Sequence, residues 1–258
     1  MPTGTVVFIH GAWMAPASWD RFKSAFTAAG YRALTPAWPY MDRPVAELRA
    51  SPDPRFGRLS VGEITDHYED LIRSLPEKPL LVGHSFGGLI VQMLLDRGIG
   101  AAGVALDPGP IAGVVPDPTS LGAALPVVLR WNGWSTPFML SRQSFAARFA
   151  NTVPPVELAP YYDAFVVPAP GRIFYQAALM SGTRVDPARR KAPLLITSGT
   201  EDRTVAPPLA RQAYGIQKRS PARTDFLSFP GRSHFLCVEA GWEEVAGKSI
   251  EWAASALT

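Results

Sequence analysis

The chain has a single cysteine, Cys237, and only four histidines among its 258 residues. A lone thiol excludes an internal disulfide, so the sequence is not that of a small cross-linked scaffold. No stretch reaches the roughly 20 apolar residues needed to cross a bilayer. Runs such as Pro79–Val82 and Leu89–Leu95 are short and end at Gly or Asp. The start, Met-Pro-Thr-Gly, lacks the basic residues of a secretory leader. A cytoplasmic, monodomain protein without a membrane partner is expected. Concentrated charge is missing too: the net charge is +3, and the basic residues are scattered except at Arg189-Arg190-Lys191. That cluster reads as a solvated basic turn, which argues against a nucleic-acid partner. No group of His, Cys or carboxylates has metal-ligand spacing, and no glycine loop suits a phosphate. Neither a metal nor another cofactor is expected.

What the chain does have is alternation. Thr5–Ile9, Arg32–Thr35, Leu80–Val82, Gly103–Leu106, Leu194–Thr197 and Phe226–Phe229 are short runs rich in aliphatic and β-branched residues. Most are apolar throughout, as in parallel strands covered on both faces. Helical patterns fall between them, at Pro16–Ala29, Ser60–Leu75, Phe86–Arg97, Pro207–Lys218 and Glu239–Ala254. Ser60 with Glu63 predicts a capping box, and Gly30 and Gly98 stand where helices should stop. This order predicts an α/β fold with a doubly wound, mainly parallel sheet of about six strands.

The alternation lapses between residues 108 and 190, where Pro, Trp, Phe and Tyr become frequent. A segment of that length is too long for a connecting loop. It predicts a helical cap inserted at 108–190 into a core made of 1–107 and 191–258. Leu121–Arg130, Ser141–Ala150, Val156–Phe165 and Gly171–Met180 are its candidate helices. Pro39–Leu59, with several prolines, is expected to be a long surface loop.

Gly83-His84-Ser85-Phe86-Gly87 is a G-x-S-x-G sequence with a strand candidate before it and a helical run after it. That is the setting of a nucleophile elbow, in which a tight turn holds the Ser hydroxyl above the sheet at the positive end of a helix. The bland alternative is a Gly-Ser turn with no chemistry.

Together with His10-Gly11-Ala12-Trp13, Gly199-Thr200-Glu201-Asp202 and Ser233-His234-Phe235, the elbow resembles the α/β-hydrolase family over nearly the whole chain. More narrowly it is similar to small serine esterase and lactonase-like members with an H-G-x-W oxyanion loop. Such members usually begin with a β-hairpin for which only four residues precede the first strand here, so six strands are expected rather than eight. The resemblance implies the chain order Ser, acid, His, with Ser85, Asp202 and His234 as the triad. His10 matches the family's structural histidine beside the oxyanion loop. Because some members carry their acid one strand earlier, Asp107 is a rival to Asp202, its other reading being an Asx turn into Pro108-Gly109-Pro110.

The residues themselves support a base at His234. His84 should point away from the Ser hydroxyl, and His67 falls among Glu63, Asp66, Glu69 and Asp70 on a charged helix face. His234 follows the last strand, at the edge where open α/β sheets bind ligands. Glu201 should diverge from its neighbour Asp202. The amide of Phe86 is expected to be one oxyanion donor, and that of Ala12 the other, with Trp13 in reserve. Trp13, Trp131, Trp134 and Phe138 are candidate substrate contacts, with Phe86 and Phe145 nearby; a cap core of its own is the alternative for the aromatics. Cys237 is expected to be buried packing.

The implied reaction is hydrolysis of a carboxylic ester, a lactone or a thioester of a small apolar molecule through an acyl-enzyme. A cofactor-free lyase or C–C bond hydrolase on the same triad, and a non-catalytic small-molecule receptor, are the rival readings. Asp at the elbow would have suggested dehalogenase or epoxide chemistry; Ser85 argues against both. Oligomeric state is left open, a homodimer included.

Overall fold

The computed structural model describes residues 4–115, 120, 122 and 126–258. Six strands, β1 (Gly4–Ile9), β2 (Tyr31–Leu34), β3 (Leu80–His84), β4 (Ala102–Leu106), β7 (Leu194–Gly199) and β8 (Thr224–Phe229), form one parallel sheet in the order β2-β1-β3-β4-β7-β8. Every residue of β3, β4 and β7 is buried. Successive side chains point to opposite faces, so helices must cover both sides, and the continuous apolar runs follow from that. The helix Phe86–Asp96 packs on β1, β3 and β4 and is buried through ten consecutive residues, Phe86–Leu95. Phe8 of β1 interlocks with Trp19, Phe22 and Phe26, its ring 5.0 Å from that of Trp19 and 5.2 Å from that of Phe26.

The winding reverses at β1, which has β2 on one side and β3 on the other. Ligands of open α/β sheets bind at such a switch point, beyond the carboxyl ends of the strands. Ile9 pairs with Gly83 there, which sets His10–Trp13 beside Ser85.

Helix punctuation matches the sequence. Ser60 and Glu63 exchange the two hydrogen bonds of a capping box at the start of Val61–Arg73. The first helical stretch divides into a 3₁₀ turn, Pro16–Trp19, and the helix Asp20–Ala28, and the last helix begins at Trp242 rather than Glu239.

Three local expectations are corrected. The stretch 39–59 is not a plain surface loop. It contains the helix Val45–Ala50 and the turn Phe56–Arg58, and buries Met41, Leu48, Phe56 and Leu59. Its prolines concealed an apolar spacing that packs on Val167 and Pro168. The basic cluster is not wholly solvated: Arg190 is 1% exposed and donates to Gln217 Oε1 (3.1 Å), Gln217 O (3.0 Å) and Ala192 O (2.6 Å). His67 shares a helix face with Glu63, Asp66 and Asp70 as expected, but that face is not wholly solvated there: the ring is half-buried and its Nε2 is bonded to Ala37 O at 3.1 Å.

Between β4 and β7 the chain forms the helices Pro155–Phe165 and Gly171–Ala178, a helical turn at Arg142–Ser144 and, unexpectedly, a strand pair, β5 (Pro137–Phe138) with β6 (Ala169–Pro170). Arg142–Ser144 runs into a wide turn at Phe145–Phe149, where Ala150 N–H donates to Phe145 O across five residues. Turns of this width gather at functional sites. Of the expected helix Leu121–Arg130, residues 121 and 123–125 lie outside the described residues, and 126–128 are helical. Among those described, no helix is long and apolar enough to cross a membrane.

Candidate active site

Ser85 has φ 55° and ψ −122°, a backbone state that a residue with a side chain rarely adopts. Two hydrogen bonds hold it there: Ser85 N–H donates to Leu106 O (2.9 Å), and Ser85 O accepts from Gly109 N–H (2.8 Å). The flanking glycines are required by contact. A Cβ on Gly83 would meet Gly87 O at 2.2 Å, and one on Gly87 would meet Ile9 O at 1.9 Å. The turn therefore brings the helix Phe86–Asp96 directly against β1 and β3, with its N-terminal partial positive charge at the Ser.

His234 lies in the loop after β8 and is fully buried. Its Nδ1–H donates to Asp202 Oδ2 at 2.6 Å, while its Nε2 is buried with no hydrogen-bond partner. Asp202 follows β7, and its other oxygen accepts from Thr204 N–H (2.7 Å) and Val205 N–H (2.8 Å). Burial pushes the His234 imidazole down to about 4, against the pull of Asp107 and Glu239. The resting ring is thus neutral, with its proton on Nδ1 and a lone pair on Nε2. Glu201, next to Asp202, is exposed and diverges from it, as expected.

Sequence reasoning missed how firmly this loop is held. His84 has its Nε2–H engaged elsewhere, donating to His234 O at 2.8 Å. Glu239 is buried and accepts from Ser233 N–H (3.0 Å), the Ser233 hydroxyl (2.5 Å) and the Thr152 hydroxyl (2.6 Å). Phe149 packs edge-to-face on the His234 ring at 4.7 Å. His10 serves the other loop. Its Nδ1–H donates to Gly11 O (2.9 Å), its Nε2 accepts from Trp38 N–H (3.3 Å), and its ring stacks on Trp38 at 4.8 Å. Burial lowers it to about 4 and keeps it neutral.

Ala12 follows β1 and Phe86 opens the helix after β3, and neither amide donates to a backbone carbonyl among the described residues. Trp13, at φ 65°, donates from Nε1 to Phe138 O (3.0 Å) and stacks on Phe174 at 4.6 Å. Trp13, Phe138, Leu140 and Phe149 wall a cavity of about 190 Å³ whose rim carries Ser141, Ser144, Arg148 and Thr204. Trp131 and Trp134 stand elsewhere: Trp131 is 95% exposed, and Trp134, 43% exposed, meets Tyr175 and the Arg172 guanidinium. Phe145 packs on Phe149, on Tyr162 and on Phe235, the residue after His234. Cys237 is buried, and burial raises its thiol well above the ordinary range, which leaves it unreactive.

Asp107 does not fold back on the turn after it. Its carboxyl accepts from Gly199 N–H at 2.9 and 3.1 Å and from the Thr197 hydroxyl at 3.2 Å, which places it beside Asp202.

A six-stranded parallel sheet with a serine elbow at its switch point and an acid–histidine pair beyond two later strands defines the α/β-hydrolase class. The sequence profile of the alpha/beta hydrolase family matches residues 6–248, and the chain belongs to that family. No curated protein sequence matches it. Among solved structures it is similar to a monoacylglycerol lipase from Paleococcus ferrophilus, with 23% identity, a TM-score of 0.70 and coverage of 98% of this chain and 94% of the other. A pyrethroid hydrolase from Sphingobium faniae superposes with a TM-score of 0.72 at 18% identity, covering 98% of both chains. A methylesterase from Arabidopsis does so with 0.70 at 14% identity, over 98% of this chain and 99% of that one. At these identities the likeness is one of fold.

Proposed function

We propose that the protein hydrolyses carboxylic esters of small apolar molecules through an acyl-enzyme on Ser85, with residues 108–190 acting as a cap over the site. The observation that carries this reading is the asymmetry of His234: Nδ1 is engaged by Asp202, while Nε2 is buried and without a partner. A buried nitrogen left unpaired costs stability unless it has a use. A general base needs this arrangement, since Nε2 must be open to receive the Ser proton.

In this mechanism Ser85 Oγ attacks the ester carbonyl and passes its proton to His234 Nε2. Asp202 stabilises the imidazolium that forms. The amides of Phe86 and Ala12 stabilise the tetrahedral oxyanion, each worth about 3 kcal/mol of transition-state energy by analogy with other oxyanion donors. His234 then protonates the leaving alcohol, and a water activated by the same nitrogen releases the acid. The cavity walled by Trp13, Phe138, Leu140 and Phe149 suits a short apolar group.

A p-nitrophenyl ester series of increasing acyl length tests the reading, with a fluorophosphonate probe and mass mapping alongside. Turnover of the short members and labelling at Ser85, both lost in Ser85→Ala, are the expected results. A parent as inert as Ser85→Ala towards esters and probe would overturn it. A cyanohydrin and a β-diketone run in parallel separate ester hydrolysis from lyase and C–C bond cleavage.

A further inference from the structure

Two carboxyl groups stand beside His234, and the mechanism above uses one. Asp107 follows β4 and Asp202 follows β7, and these strands are neighbours in the sheet. Ligand atoms of Asp107, Asp202 and His234 lie within 4.8 Å of one another, and all three residues are buried. Asp107 is at φ 44°, strained for a residue with a side chain, and is held there from β7 by the Gly199 amide and the Thr197 hydroxyl.

Two carboxylates this close and this dry cannot both be ionised. The donors around each decide which one holds the proton. Asp202 accepts from His234 Nδ1–H and from the amides of Thr204 and Val205, which favours its charged form. Asp107 has one amide and one hydroxyl. Glu239 lies on the far side of His234 and is occupied by Ser233 and Thr152.

We infer that Asp107 carries a proton at neutral pH and donates it in a hydrogen bond to Asp202, acting as a positioning residue that fixes the carboxylate against His234. Burial and the neighbouring Asp202 charge both push the Asp107 carboxyl well above its ordinary range. Burial raises Asp202 to about 7, and the hydrogen bond from Asp107, with those from the Thr204 and Val205 amides, offsets part of that rise. The buried cluster then carries one negative charge instead of two, and that charge is held on the oxygen pair that faces the imidazole.

The kinetic part of this inference rests on the hydrolase reading, whereas the location of the proton does not. Infrared difference spectra of the full chain read it without turnover. The parent is expected to show a carboxylic-acid carbonyl band at neutral pH that disappears in Asp107→Asn. In ester assays Asp107→Ala removes the donor and is expected to lower kcat by about 10- to 100-fold, the loss of one hydrogen bond to a charged group. KM should change little. The acid limb of the kcat/KM profile should move upward, because an unshared Asp202 charge holds the imidazolium proton more tightly. Asp107→Asn, whose amide nitrogen can donate in place of the acid proton, is expected to recover most of kcat. Absence of the acid band, or a loss in Asp107→Asn as deep as in Asp202→Asn, would show Asp107 to be ionised and overturn the inference. If Asp107→Ala fails to fold, the two Asn variants and the spectra decide the matter alone.

Discussion

His84 donates its Nε2–H to the backbone carbonyl of His234 at 2.8 Å, and the two rings lie 4.6 Å apart, centroid to centroid. The residue before Ser85 therefore ties down the loop that carries His234. Removing this link in His84→Ala is expected to lower kcat by about tenfold, with KM nearly unchanged, as one net hydrogen bond is lost. His84→Gln, which can place an amide N–H near the same carbonyl, should lose less. Steady-state kinetics on a short ester, with near-UV circular dichroism to confirm packing, tests both. Equal losses in kcat for the two variants would count against the positioning role.

The buried histidines make the fold sensitive to acid. His10 and His234 are lowered to about 4 by burial, and burial pushes His84 well below 6.5. Each is neutral when folded but takes up a proton near pH 6.5 when unfolded. The histidines thus take up protons first in the unfolded state as pH falls, and their contribution to stability is lost from about 6.5 down towards 4, offset in part by Asp107 and Asp202, whose raised carboxyls protonate first in the folded state. By linkage, His10 alone should cost about 2 kcal/mol at pH 5 relative to pH 8. Denaturant titrations at the two pH values measure this, and His10→Asn should flatten the dependence.

Glu239 is the clamp of the His234 loop. Its truncation in Glu239→Ala leaves the Ser233 amide and hydroxyl buried without their acceptor and frees the exposed Thr152. A loss of about 2–4 kcal/mol in unfolding free energy is expected, the cost of orphaning buried donors. Glu239→Gln keeps one acceptor oxygen and should lose less than half as much.

The elbow tolerates no added atom at Gly87, where a Cβ would lie 1.9 Å from Ile9 O, a backbone atom that cannot yield cheaply. Gly87→Ala is expected to abolish soluble expression or lower stability by about 3 kcal/mol or more, as overpacking does in a tight core. A thermal melt against the parent checks this.

The aromatic residues of the insertion should divide by position. Phe138→Ala enlarges the cavity wall beside Trp13, and it should shift ester preference towards longer acyl chains. Trp131→Ser alters a side chain that is 95% exposed, and it is expected to leave kcat/KM within about twofold. The p-nitrophenyl series reports both changes.

The sheet was legible because parallel strands buried on both faces have to be apolar throughout, and most of the six runs were. The elbow was legible because its glycines mark a turn where two elements nearly touch. Long-range polar partners left no such mark. Nothing in Arg190 shows that Gln217 and Thr224 will receive its guanidinium, and nothing in Glu239 points to Thr152. The contest between Asp107 and Asp202 could not be resolved along the chain either, since both follow adjacent strands. In the fold both reach the neighbourhood of His234, and only Asp202 receives its Nδ1–H. In 39–59 the prolines suggested exposure, whereas the spacing of Met41, Leu48, Phe56 and Leu59 served burial.

The loop after β1 is stitched to 137–167 at three points. Val167 N–H donates to Trp13 O and Ala15 N–H donates to Phe165 O, the pair that makes the Met14–Val166 bridge, and Trp13 Nε1–H reaches Phe138 O. A transplanted 137–167 segment would consequently arrive without its half of this scaffolding. Recombination that aims to alter selectivity in this protein has to move 13–15 together with 137–167, or the graft will leave the loop beside Ser85 untethered.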